Sequence, residues 1–98
     1  MDSRRRALSR ELRLQIGPRL RELRMQHRES QEAVAWAADV TQGSISNYEN
    51  GRNEVPLSVL ISICEYFNTP LDDVFTGAVA VAELMGMSSQ DYPTAAAS

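Results

Sequence analysis

The sequence predicts an all-α fold: a five-helix domain with a basic extension before it and a short helix after it. Three observations point there: apolar residues recur at every third or fourth position, capping residues stand at the boundaries of those stretches, and no segment reads as a strand. A chain of 98 residues holds one domain. Hydrophobic residues at 43% and charged residues at 23% are ordinary for a globular protein, while aromatics at 6% make the core mostly aliphatic and alanine.

Leu8, Leu12, Ile16, Leu20 and Leu23 follow the spacing of one helical face. A proline inside a helix removes a donor, so the first helix is expected to start at Gly17, with Pro18 in its first turn, and to run to about His27. For residues 4 to 15 the pattern permits a helix and the run of arginines permits a flexible arm. Ser30 caps a second helix over residues 31 to 38, rich in alanine. Asp39 and Val40 interrupt, and Thr41 caps a third helix from Gln42 to Asn50 that closes at Gly51. Pro56 opens a fourth, whose apolar stripe includes Leu57, Leu60, Ile61, Ile63, Cys64 and Phe67, and Asn68 ends it. Thr69 as cap, Pro70 and Asp72 then predict a short fifth helix to about Phe75. Ala78 to Met85 is apolar enough for a further short helix, and the stretch from Ser88 lacks periodicity. The expected division is a basic extension over residues 1–15, a domain over 16–76 and a C-terminal extension over 77–98.

The net charge of −3 conceals a segregation. Residues 1 to 28 hold nine arginines against Asp2, Glu11 and Glu22, and the remainder holds only Arg52 against ten acids. Such asymmetry argues for a polyanion on one face, against a pI near 5.0 that by itself argues otherwise. Arg4, Arg5, Arg6, Arg10 and Arg13 read equally as a solvated charge run. Cys64 has no disulfide partner, and His27 has no cysteine or second histidine beside it to complete a metal site, so no cofactor or metal is expected. Cys64 reads as a buried small hydrophobe, and His27 as a complement to a helix dipole. No run is long enough to span a membrane, and Arg10, Glu11 and Arg13 stand where an export signal needs apolar residues, so a cytoplasmic, nucleoid-associated location is expected. Neither a phosphate loop nor a nucleophile elbow is present, so no enzyme is expected.

Two short helices joined by a tight turn, the second closed by glycine, have the helix-turn-helix shape. The second of them carries Gln42, Ser44, Ser46 and Asn47, short hydrogen-bonding groups, with only Ile45 and Tyr48 suited to face inward. These residues resemble the phage-repressor-like (Xre-type) helix-turn-helix family. The likeness rests on four blocks in order: Ile16 to Arg24, Ser30-Gln31-Glu32, Thr41 to Gly51, and Asn68 to Phe75. It implies a lambda-repressor-like five-helix domain that binds double-stranded DNA as a homodimer on a palindromic operator, as a transcription regulator and more readily a repressor. Gln42, Gly43, Ser44, Ser46 and Asn47 match positions that face bases; Gln31, Asn50, Arg52 and Arg19 match positions near phosphate. Arg24 and Glu49 match an ion pair between the first and third helices, and Ala35 a small residue that lets the second and third approach closely.

Three departures stand out. Asp39 replaces a turn glycine, Gly43 sits inside the reading helix, where close approach to DNA is its expected use, and residues 29 to 51 hold no basic residue. Trp36 stands where a polar residue is usual, which suggests packing against the N-terminal segment or against another protein. The alternatives to a regulator are an antitoxin-like autorepressor, whose C-terminal extension binds a toxin, and an interaction adaptor that has lost DNA binding.

Overall fold

A computed structural model describes residues 2–75. They form four α-helices and one closing turn: α1 (Asp2–Gln26), α2 (Gln31–Ala38), α3 (Gln42–Glu49), α4 (Leu57–Tyr66) and a 3₁₀ turn (Leu71–Val74). The described residues contain no strand. Ile16, Leu20 and Leu23 of α1 meet Val34, Ala35 and Ala38 of α2, Ile45 and Tyr48 of α3, and Leu60, Ile63, Cys64 and Phe67 of α4 in one core closed by Val74. α1 packs on α3 and on the 3₁₀ turn, while α2 packs on α3 and α4.

The helices start and stop for local reasons. Ser30 Oγ accepts from the amide of Ala33 at 3.0 Å and Thr41 Oγ1 from that of Ser44 at 3.0 Å, so one of the amides left over at the N-terminus of α2 and one at that of α3 are satisfied. All four helices then close with a wrapped bond from an amide to the carbonyl five residues back: Glu29 to Arg24, Val40 to Ala35, Arg52 to Asn47 and Thr69 to Cys64. That bond needs a residue in the left-handed region. Gly51 (φ 70°) supplies it after α3, and Arg28 (φ 56°), Asp39 (φ 56°) and Asn68 (φ 51°) supply it at the other three ends.

Three expectations are corrected. The first helix does not start at Gly17: it begins at Asp2, runs unbroken through Pro18, and takes in the segment for which helix and arm were both open. The apolar stripe that starts at Leu8 is continuous with the one that reaches Leu23, and Pro18 lies on the exposed side, where the carbonyl it deprives of a donor belongs to the exposed Leu14. The fifth element is a single 3₁₀ turn, because Asp73 and Phe75 donate three residues back and Phe75 is already extended. Thr69 does not cap it: its hydroxyl donates to the carbonyl of Phe67 at 3.2 Å. The expected helix over Ala78 to Met85, with all of 77–98, lies outside the described residues.

Cys64 is buried, and burial, aided by the charge of Asp73, pushes its thiol up from the ordinary range. His27 stacks on Phe67, ring centroids 4.6 Å apart, so it seals the junction of α1 and α4. No described helix is long and apolar enough to cross a membrane.

Candidate nucleic-acid interface

α3 is a helix with two unlike faces. Ile45 and Tyr48 are buried, and so is Glu49. Positions 42, 43, 46, 47 and 50 share the opposite face by helical spacing, and there Gln42, Gly43 and Asn50 are exposed and Ser46 and Asn47 half-buried. Ser44 lies at the flank, where its hydroxyl accepts from Thr41 Oγ1 at 2.9 Å.

What fixes α3 is a polar relay running back into α1. Arg24 Nε donates to Glu49 Oε2 at 2.7 Å and Arg24 Nη2 to Oε1 at 3.0 Å, a two-pronged pair whose carboxylate is 4% exposed. The hydrogen bond to Glu49 holds the Arg24 guanidinium above its ordinary pKa in spite of burial. Arg24 Nη1 also donates to the carbonyl of Glu29 at 3.0 Å, which ties the end of α1 to the turn before α2. From Glu49 the relay continues through Gln31, whose Nε2 donates to Glu49 Oε1 at 3.1 Å, and ends at Gln42, whose Nε2 donates to Gln31 Oε1 at 2.7 Å. The first side chain of α3 is thereby aimed by the last residue of the same helix.

Backbone packing sets the depth of α3. A Cβ on Gly17 would lie 2.4 Å from the carbonyl oxygen of Tyr48 and 3.0 Å from that of Glu49, so only glycine lets α1 and the end of α3 touch. Next to it Arg13 Nε donates to the carbonyl of Gly51 at 3.2 Å. Neither Gly17 nor Arg13 stood out in the sequence as part of this region. Their partners are 31 or more residues away, and the Gly17-Pro18 pair reads locally as a helix start.

The residues expected near phosphate divide. Gln31, Asn50 and Arg52 surround α3, with Arg52 Nη1 donating to Asn47 Oδ1 at 3.5 Å. Asn50 folds back, its Nδ2 donating to the carbonyl of Ser46 at 2.9 Å. Arg19 is not brought together with them: it stands on the side of α1 that meets the 3₁₀ turn, donates from Nε to the carbonyl of Asp73 at 2.7 Å and pairs with Glu22. Gly43 meets nothing but Thr41 Oγ1, at 3.8 Å, so the fold itself does not require a glycine there. Trp36 is not covered by the N-terminal segment, which forms the outer half of α1: it is 86% exposed on α2 among the described residues.

The described residues contain no cluster of side chains able to hold a metal. The arrangement can present short donors and acceptors, at fixed depth and angle, to a grooved polar partner.

Comparison with known proteins agrees with this geometry. Residues 15–74 match the model of a family described as helix-turn-helix domain. The restriction-modification controller protein C.AhdI from Aeromonas hydrophila superposes with a TM-score of 0.61 at 25% identity, covering 64% of this chain and 96% of that one. The clp gene regulator ClgR from Corynebacterium glutamicum gives a TM-score of 0.63 at 31% identity over 76% of this chain and 73% of its own. No curated protein gives a significant match.

Proposed function

This chain belongs to the helix-turn-helix domain family, and from that premise we propose that it is a sequence-specific DNA-binding transcription regulator, acting as a homodimer on a palindromic operator and repressing by excluding polymerase. The observation that carries the reading is α3 itself: its apolar face is buried, its outer face is a strip of amides and hydroxyls, and its angle is locked by Arg24, Glu49 and Gln31. Seated in the major groove, Gln42 and Asn47 are the side chains long enough to make paired bonds to adenine, with Ser44 and Ser46 as shorter contacts and Gly43 at the closest approach. Gln31, Asn50 and Arg52 meet phosphates on either side, which fixes register without reading sequence. Two protomers would place their α3 helices about 34 Å apart. Leu57 and Ile61 on α4 and Leu71 on the 3₁₀ turn are exposed apolar residues that take no part in the relay, which supports a second copy as their cover.

Selection of bound duplexes from random sequence, followed by gel shift, tests the reading, and recovery of no enriched motif would sink it. With the selected duplex, Asn47→Ala is expected to change the preferred base at one position per half-site. Arg52→Ala is expected to weaken binding to all sequences alike and to flatten the salt slope by about one unit. Trp36 supports a second reading, in which α2 also receives a protein partner; a small protein retained by the wild type and lost with Trp36→Ala would favour it.

A further inference from the structure

We infer that the outer half of α1 is a second DNA grip, a trough of guanidinium groups that seats the sugar-phosphate backbone beside the end of α3; this rests on α3 being the helix that enters the groove. Positions 6, 10, 13, 17 and 24 follow one another at helical spacing along one edge of α1. Three of them fix that edge against α3: Arg24 holds Glu49, Gly17 abuts the carbonyls of Tyr48 and Glu49, and Arg13 holds the carbonyl of Gly51. One and two turns further out, the same edge continues with Arg10 and Arg6, beyond the point where α3 ends. There a concavity opens between α1 and the loop after α3, lined among the described residues by the guanidinium-bearing Arg5, Arg6, Arg10 and Arg13, by Leu8, Ser9 and Leu12 between them, and by one acid, Glu54. Arg52, read above as a phosphate contact, stands in that same loop.

The charge arrangement selects the partner. Arg6 and Arg10 are like charges one turn apart, a pairing that costs a helix a few tenths of a kcal/mol. Arg5, Arg6 and Arg10 are all exposed, so no acid of the core explains their gathering. A polyanion passing the end of α3 relieves that repulsion, and planar forks suit its phosphate oxygens. The trough also supplies what the acidic stretch from Glu29 to Gly51 lacks. It lengthens the contact along the backbone, away from the bases, so it adds affinity and salt dependence without sequence preference.

The test is a variant carrying Arg5→Ala, Arg6→Ala and Arg10→Ala, bound over a series of salt concentrations to a duplex that the wild type selects from random sequence. Alanine favours helix and these positions are outside the core, so circular dichroism and the thermal midpoint should match the wild type. The expected result is a salt slope shallower by about two to three units, loss of hydroxyl-radical protection at the flanks of the site, and an unchanged base preference. Arg21→Ala with Arg28→Ala removes exposed charge near the other end of α1, outside that concavity, and is expected to keep the flanking protection. A triple variant with the wild-type slope and footprint overturns the proposal, and so does equal loss of flanking protection in the Arg21/Arg28 variant. A wild type that shifts no duplex at all instead overturns the reading of α3, and the trough falls with it.

Discussion

At the scale of single residues, the two glycines near α3 have opposite assignments. At Gly17 a methyl group would press on two backbone carbonyls that cannot swing aside, so Gly17→Ala is expected to cost about 1 to 3 kcal/mol by urea unfolding. At Gly43 there is open space, so Gly43→Ala is expected to gain up to about 1 kcal/mol from helix propensity while weakening DNA binding if the groove wall lies where the methyl would project. A variant both more stable and unimpaired in binding would show that the glycine has no part in the approach. Arg24→Met leaves the carboxylate of Glu49 buried beside a thioether. It is expected to cost about 3 kcal/mol, and a double-mutant cycle with Glu49→Gln should recover most of that as coupling. The pair was legible because the resemblance to a known family supplied it. Its extension through Gln31 to Gln42 was not, since neither glutamine carries a local mark of a partner, 18 residues away in one case and 11 in the other.

At the scale of elements, the legible boundaries are those with a local cause. Ser30 and Thr41 cap α2 and α3 as their side chains dictate, and Asp39 takes the left-handed conformation that the turn needs. Thr41→Ala removes the acceptor for the amide of Ser44, so about 1 kcal/mol of stability should be lost, and the first turn of α3, which carries Gln42, should exchange its amide hydrogens faster. Equal exchange in the two proteins would mean that the Gln31 contact alone holds that turn. The boundaries that were not legible have distant causes. Gly17 and Pro18 look like a helix start to any local rule, yet glycine is there to admit the end of α3, and proline is tolerated on the exposed side. Thr69 likewise has the chemistry of a cap but spends its hydroxyl on Phe67, leaving Pro70 to lead a 3₁₀ turn with no side-chain cap.

At the scale of the whole molecule, three of the exposed apolar residues and the outermost arginines stand on different elements. Leu57, Ile61 and Leu71 lie on α4 and the turn, and the arginines on the outer half of α1. If the apolar stretch from Ala78 to Met85 adds to the contact between two copies, truncation after Phe75 is expected to lower dimer formation and raise the protein concentration needed to shift an operator. Light scattering with gel shift checks this, and a truncated chain that stays dimeric with full affinity would place the contact wholly within residues 2–75. The segregation of charge was visible in the order of residues along the chain, but that order could not say that the basic segment is a rod continuous with the core. That continuity has a mechanical consequence. An arm on a loose tether would absorb an extra residue unnoticed, whereas one amino acid inserted between Leu12 and Arg13 would turn Arg6 and Arg10 about 100° around the axis, clear of the trough, with every charge retained. Phase, as much as composition, is what this leading segment must conserve.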